Sequence, residues 1–572
     1  MSKNLRHTGR TDYFSKFIEN ISKPKDWKLF ATLFVGKMLG LAAVIAAMIL
    51  LPGLISGTSA HAAEVYTAHE TAVINSINTV WTLVAAALVF GMQAGFVMLE
   101  AGFARKRETV NILVECALDT AICGVSFWAI GYAFMFGAGN AFIGTQYFFL
   151  QDAPATYGST GVAILAHWIF QFAFADTAST ITSGAMIGRT SFRGDIIYSI
   201  FVTAFIYPIV GHWAWGPDGF LALMGTPGHF LPTLGQGFRD FAGSTVVHTI
   251  GGMVSLAGAI VLGPRIGRIF LRDNKEKGGL PAAHSLPLAT IGAFLLWFGW
   301  YGFNPGSTLS AMDYEGIGRV AANTTLAACT GSLTALLCAL WIGPFKGKFD
   351  TGFALNGMLA GLVAITAPCY WVSPLGAVII GIVAGIIVFG GVYALEYFRI
   401  DDPVGAVPVH GLNGMLAGLV AITCPCYWVS PFGSVIIGIV AGIVVFGGVY
   451  LLEYLRIDDP VGAVSVHGFA GIWGTLSLGL FASGQYGVTG PFGADNSAPN
   501  IVKGLFYGGG WDVLKAQAIG SFTITAATLI LSFIVMFAVS KLPYPFKLRV
   551  EPEGETGPGG LDVFEHGAEA YN

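Results

Sequence analysis

The sequence predicts an all-α polytopic membrane protein, and three observations carry that expectation. Only 11% of the 572 residues are charged and 54% are hydrophobic, with a mean hydropathy of +0.68, whereas soluble domains carry about 25% charged residues. Apolar runs recur along the chain at the roughly 20 residues that one helical crossing requires. Basic residues collect in alternate loops between those runs, as they do where those loops stay in the cytoplasm. The 78 glycines and 13% aromatics suit this class, because glycine lets helices approach closely and aromatics settle at interfaces or line pores. The net charge of −4 comes with no long basic surface for nucleic acid. The seven cysteines lie in or beside apolar segments without zinc-type spacing, and Cys424-Pro-Cys426 is too tight for a Cys-x-x-Cys redox motif. No cofactor, metal site or enzymatic chemistry is expected.

Taken in order, residues 1–63 begin with a basic leader from Lys3 to Lys37, followed by an apolar core at 38–52 and small residues ending Ser59-Ala60-His61-Ala62-Ala63. That order is the one of a secretory signal peptide, although an uncleaved anchor fits the long leader too. Either delivers residue 64 to the outer face. A membrane domain over 64–543 follows. Its thirteen apolar spans fall near 76–103, 109–137, 160–187, 194–216, 240–263, 285–305, 317–343, 353–372, 375–398, 404–427, 432–455, 461–483 and 514–541. With the start outside, the inner loops hold Arg105-Lys106-Arg107, Arg189 and Arg193, the run from Arg265 to Lys277, Lys346 and Lys348, Arg399 and Arg456. Outer loops hold Asp152, Asp218, Asp313 and Glu315, with Arg239 the main exception. The tail, 544–572, is thereby cytoplasmic. Together these features predict a multi-pass protein of a bacterial inner membrane.

Residues 355–411 recur at 412–468 with a period of 57 and only seven differences. One unit holds two crossings, so a tandem copy leaves the orientation of everything downstream unchanged, whereas a one-helix insertion would invert it. Only two units occur, which excludes a solenoid or propeller array. A two-helix duplication, in the gene or in assembly of its sequence, accounts for the pattern and leaves eleven spans once one copy is removed.

Three histidines, His248, His410 and His467, sit within apolar spans, where an ionisable group is costly unless it lines a pathway or finds a partner. His248 closes the run Asp240-Phe-Ala-Gly-Ser-Thr-Val-Val-His, which continues through Gly251, Gly252, Ala257, Gly258 and Ala259 to Arg265. Those small residues suit tight helix packing, and Asp240 is placed to cap the helix N-terminus. Residues 297–307 read Trp-Phe-Gly-Trp-Tyr-Gly-Phe-Asn-Pro-Gly-Ser, an aromatic helix interrupted as membrane helices are where they line a cavity. His467 follows Asp458-Asp-Pro-Val-Gly-Ala-Val-Ser-Val, near the inner end of its span.

From about residue 76 onward these patterns resemble the ammonium transporter family, the Amt/Mep/Rh proteins. The stretch from Asp240 to Arg265 is the most specific part, joined by Phe170-Gln-Phe-Ala-Phe174, Trp213-Ala-Trp215-Gly, Trp300 to Ser307, Ala364-Ile-Thr and the tail from Gly559 to Tyr571. The resemblance implies eleven helices in two inverted five-helix repeats plus a last long helix, assembled as a homotrimer with one pore per subunit. Here an extra two-helix hairpin would be added. By the same resemblance Trp215, Phe174 and Ser307 match an outer ammonium-binding site, Phe174 and Phe303 the stacked rings that gate it, and His248 and His467 the paired pore histidines. The tail resembles one that meets a PII-type regulatory protein. The implied function is recruitment of ammonium, its deprotonation and conduction of ammonia with proton relay. An ammonium sensor on the same scaffold and a passive ammonia channel remain as alternatives.

His410 has the upstream sequence of His467 but runs into Gly411-Leu-Asn-Gly-Met415, the start of the duplicated earlier helix. Only His467 is followed by the family-like Gly-Phe-Ala-Gly-Ile-Trp473, so the pore is assigned to His467 and His410 to a supernumerary hairpin, be it 355–411 or 412–460. Asp176, where the family has a small apolar residue, is expected to face away from Phe174 toward a structural partner. Glu115 and Asp119 are expected to be buried hydrogen-bonding anchors. His61, His167, His212 and His284 are expected in loops or near the membrane surfaces.

Overall fold

The computed structural model describes residues 67–571, apart from 270–283, 342–353, most of 356–450, 483–501 and short gaps such as 241–243 and 459–463. Nine of the thirteen predicted spans coincide with described helices. The four spans between 353 and 455 lie largely outside the described residues, as do the leader at 1–63 and His410.

Helix α1, Ala68–Phe103, starts at a capping box in which Thr67 Oγ1 accepts from Glu70 N at 3.3 Å and Thr67 N donates to Glu70 Oε2 at 2.8 Å. Its apolar side chains Val80 and Val84 stay 62% and 47% exposed, which in a bilayer is the lipid face. Helix α2, Thr109–Ser126, passes through a π turn, Phe127–Gly131, into α3, Tyr132–Phe136. Helix α4, Ile164–Gly184, is buried on nearly every side despite carrying Gln171, Asp176, Thr177, Ser179, Thr180 and Ser183. A helix that is polar yet enclosed must satisfy those groups internally, so α4 is the centre about which the others arrange. Helix α5, Phe192–Phe201, likewise passes through a π turn, Val202–Ile206, into α6, Tyr207–Trp215.

A π turn at Ser244–Thr249 opens α7, Ile250–Leu262, and Gly263 ends it at φ 72°, a left-handed conformation open to glycine. Helix α8, Leu286–Phe303, lies along α1, the most extensive helix pair among the described residues. Glycine makes that approach: a Cβ at Gly292 would stand 2.6 Å from Leu99 N and 2.7 Å from Gly95 O. A 3-10 turn at Pro305–Thr308 leads to α9, Tyr314–Trp341. A second solitary π turn, Val464–Phe469, opens α10, Ala470–Phe481, and α11, Asp512–Ser540, is the last long helix. Among the described residues seven helical stretches are long and apolar enough to cross a membrane.

Two features go beyond the helical expectation. The loop before α4 folds into a short antiparallel pair, Thr156–Tyr157 with Val162–Ala163, in register Thr156 to Ala163. The tail folds as α12, Pro552–Thr556, and α13, Gly560–His566, docked against the start of α2. Ser191 N donates to Leu548 O at 2.8 Å and Val550 N to Arg189 O at 3.0 Å, so the tail pairs with the loop after α4.

Candidate functional site

The site begins with aromatic rings set by three helices. Phe174 on α4 is 2% exposed and stacks on Phe303, the last residue of α8, with ring centroids 5.7 Å apart and planes 24° apart. Trp215, the last residue of α6, meets Phe174 edge-on at 6.5 Å. Trp300 and Phe170 back the stacked pair at 6.0 and 4.8 Å. The indole of Trp215 is fixed because its Nε1 donates to Asp240 O at 2.8 Å.

Asp240 then ties the rings to the next element. Its Oδ2 accepts from Thr245 N at 2.8 Å and Val246 N at 2.9 Å, capping the π turn that carries His248. A π turn leaves backbone groups out of the regular ladder and is frequent at functional sites, so the cap has more to satisfy here than at an ordinary helix start. The π turn at 464–469 carries His467 in the same way. The two turns pack against each other, and each also packs against the helix the other opens. Thr245 Oγ1 hydrogen-bonds Thr475 Oγ1 between them. Gln517 of α11 locks the junction: Nε2 donates to Arg239 O at 2.9 Å and Thr475 O at 3.1 Å, and Oε1 accepts from Arg239 N at 2.8 Å.

The backbones carrying His248 and His467 thus meet, while both imidazoles lie outside the described residues. Ser307 belongs to the 3-10 turn after Phe303, and its hydroxyl lies outside them too. Neighbouring Thr308 Oγ1 accepts from Trp81 Nε1 at 3.0 Å, which holds that turn against α1.

Asp176 turns away from the rings toward Gln93 on α1 and Thr120 on α2. Glu115 Oε2 accepts from Asn111 Nδ2 at 3.1 Å, and Asp119 Oδ1 from Ser179 Oγ at 2.7 Å. Of the two expected placements, in loops or near the membrane surfaces, the first is excluded for His167 and His212, since both are helical and at most 3% exposed. His167 stacks on Tyr157 at 4.0 Å and bonds Tyr132 Oη at 2.9 Å. His212 points its two ring nitrogens at Met135 O and Asn140 O, each at 2.9 Å. His167 lies in the first turn of α4 and His212 in the last turn of α6, so the apolar context of a single span hid partners supplied from residues far along the chain. His284 lies in the loop before α8, with Nδ1 2.9 Å from Ala104 O. His61 falls outside the described residues.

A buried aromatic stack tied through Asp240 to two cross-packed, histidine-bearing π turns, within a bundle of membrane-length helices, defines a multi-pass membrane transport protein. The model of the Ammonium Transporter Family matches residues 80–415 and 412–571, and the chain belongs to that family. It is 37% identical over 498 residues to the ammonium transporter Amt2 of Archaeoglobus fulgidus, covering 86% of this chain and 88% of that protein. It is 36% identical over 485 residues to ammonium transporter 1 member 1 of Arabidopsis thaliana, covering 83% and 81%. A solved structure described as a Sensor Amt Protein superposes with a TM-score of 0.61 at 31% identity, over 86% of this chain and 99% of that one.

Proposed function

We propose that the protein is an ammonium transporter of a bacterial inner membrane: it recruits ammonium outside at Trp215, Phe174 and Ser307, deprotonates it, and conducts ammonia past His248 and His467. The single observation that carries this reading is the Phe174–Phe303 stack met edge-on by Trp215. Bare ammonium entering low dielectric loses tens of kcal/mol of hydration by a Born estimate. A cation–π contact returns only ~0.5–2 kcal/mol per ring, and a charge-assisted bond from Ser307 about 1.5–3 kcal/mol. Such a site selects the ion at the mouth but cannot carry it across, so the proton must leave before the constriction. Neutral imidazoles titrate near physiological pH and can accept or pass that proton.

The rest of the reading follows the family. The working unit is a homotrimer, the N-terminus lies outside after removal of residues 1–63, and the docked tail at 544–572 is cytoplasmic and offers a PII-type regulator its surface. The test is uptake by full-length protein in proteoliposomes. His467→Ala abolishes uptake or alters its selectivity while His410→Ala does not; the reverse outcome overturns the assignment. Trp215→Leu raises the half-saturating ammonium concentration by roughly 2- to 30-fold, the equivalent of one cation–π contact. A second reading, a sensor, draws on the likeness to the Sensor Amt Protein. Ammonium binding with no flux into the proteoliposomes would favour it, and ammonia flux without current would favour a passive channel.

A further inference from the structure

The bundle holds more buried carboxyl groups than the pore reading uses. Glu100 on α1, Glu115 and Asp119 on α2, Asp176 on α4 and Asp195 on α5 are each at most 6% exposed. Four helices bring these acids to one interhelical space, and among the described residues none of the five forms an ion pair with Lys or Arg. Intramembrane acids of this kind are costly, and packing alone would be served better by amides or apolar side chains.

Their order is continuous. Asp176 stands beside Thr120 and Gln93, with Asp119 the next acid inward. Asp119 accepts from Ser179 and lies beside Ser199. Asp195 lies beside Glu115 and Tyr198. Glu115 accepts from Asn111, whose Oδ1 faces His566 Nε2 of the docked tail at 3.1 Å. Glu100 flanks the row, held by Ser183 Oγ at 3.1 Å. The row therefore runs from mid-helix α4 to the cytoplasmic face.

Two chemical features set it apart from a structural cluster. The neighbouring carboxyls of Glu115 and Asp195 can hydrogen-bond each other only if one of them carries a proton, because an ionised carboxylate only accepts. Hydrogen-bonding capacity is also left over where a relay would use it. Both oxygens of Asp176, Oδ2 of Asp119 and Oδ1 of Asp195 complete no hydrogen bond. Neither does Nε2 of Gln93, a side chain only 7% exposed that lies beside Asp176 while its Oε1 accepts from Thr180 at 2.9 Å. Buried polar groups with spare capacity take water, which completes a proton path. Outward, Tyr207 carries a buried, unbonded hydroxyl within electrostatic reach of Asp240 and Cys123, and Cys123 is in reach of Asp176. Helix α4 also packs on the π turn of His248.

We propose that Asp176, Asp119, Asp195 and Glu115 form a proton route that delivers the proton released from ammonium to the cytoplasmic face beneath the tail. The inference rests on the reading that ammonium is deprotonated in the protein. One N–H bond breaks with its electron pair left on nitrogen, and ammonia continues through the pore. The proton adds to a carboxylate oxygen, and O–H bonds then break and form in turn along the row. Each carboxyl ends as it began, with one proton delivered per ammonia.

The test measures charge moved per ammonium taken up, using the full chain in proteoliposomes under an ammonium pulse. Asp119→Asn and Glu115→Gln lower that ratio by at least about tenfold, well within the roughly 10²- to 10⁴-fold that a positioned proton-transfer group contributes. Glu115→Asp, which keeps a titratable group, holds the ratio near the unsubstituted protein's. Unchanged ratios in the amide variants overturn the proposal, and so does Glu115→Asp behaving like Glu115→Gln, which would mark a packing role. Should Asp119→Asn fail to assemble, the two Glu115 variants decide alone. If the unsubstituted protein takes up no ammonium, the transporter reading itself fails; if it takes up ammonium without charge, only the proton route falls.

Discussion

Asp240 joins the aromatic rings to the π turn of His248 through two different acceptors. Its backbone carbonyl orients the indole of Trp215, and its carboxylate caps the π turn bearing His248. Removing the carboxylate leaves two buried N–H groups without their acceptor, at a cost of about 1–3 kcal/mol each if nothing replaces it. Asp240→Ala should therefore lower the thermal midpoint of the detergent-solubilised protein. Asp240→Asn, which keeps a side-chain carbonyl, should recover most of that loss. An alanine variant as stable as the unsubstituted chain would show that the cap contributes nothing. The N-terminal carboxylate is legible in the sequence because capping is local, a few residues from acceptor to donor. Gln517, which locks the same junction across 278 residues of chain, gives no local signal and escapes a reading of periodicity or spacing.

At the scale of elements, the C-terminal end of α7 and the loop before the second histidine turn are clamped by arginines. Arg549 donates to Leu262 O at 2.7 Å and Pro264 O at 3.0 Å, and Arg189 to Gly263 O at 2.8 Å and Asp458 O at 2.7 Å. Cations at a helix C-terminus suit its exposed carbonyls and dipole. The Arg265 guanidinium holds the Asp458 carboxylate with two bonds, at 2.8 and 2.9 Å; Arg265 N adds one at 3.2 Å and Arg268 another at 3.2 Å. Burial alone would raise the Asp458 carboxyl, but Arg265, then Arg189 and Arg268, hold it well below the usual carboxylate range. A carboxyl depressed in the folded state stabilises fully above its unfolded value of about 3.9 and loses that contribution only as pH falls toward the depressed native value. Thermal midpoints should thus keep the contribution of this clamp from neutral pH down to about 4. Asp458→Asn should cost about 3–5 kcal/mol across that range, because it strands buried guanidinium groups. A midpoint gap between the two proteins that closes already at pH 6 would refute the clamp. Helix positions were legible because hydropathy and length decide them. The four π turns were not, since an extra residue in a turn leaves the apolar period almost unchanged. The acid row was visible only as separate residues, because its connections run between helices, as Ser179 to Asp119 does across 60 positions.

For the whole molecule, the repeat turns the question of which histidine serves the pore into one of connectivity. The family match breaks into two stretches that overlap at 412–415, the boundary between the two copies. Deleting 412–468 joins Gly411 to Phe469, so His410 acquires the Phe-Ala-Gly-Ile-Trp sequence that follows His467 in the full chain. Deleting 355–411 instead joins Ala354 to Leu412 and keeps His467 in place. The two shortened chains differ only at the seven positions that distinguish the copies, and each loses two crossings, which leaves every downstream basic loop on its original side. Both should take up ammonium. In the 412–468 deletion His410→Ala should now abolish uptake or alter its selectivity, although the same substitution is silent in the full chain. Removal of a single crossing from the repeat should fail, because it sends the loop at Arg456 and the tail to the wrong face. If neither two-crossing deletion transports while the full chain does, the hairpin is an integral part of the transporter. A histidine's role here would then depend on the whole bundle around it, and not on the short sequence that follows it.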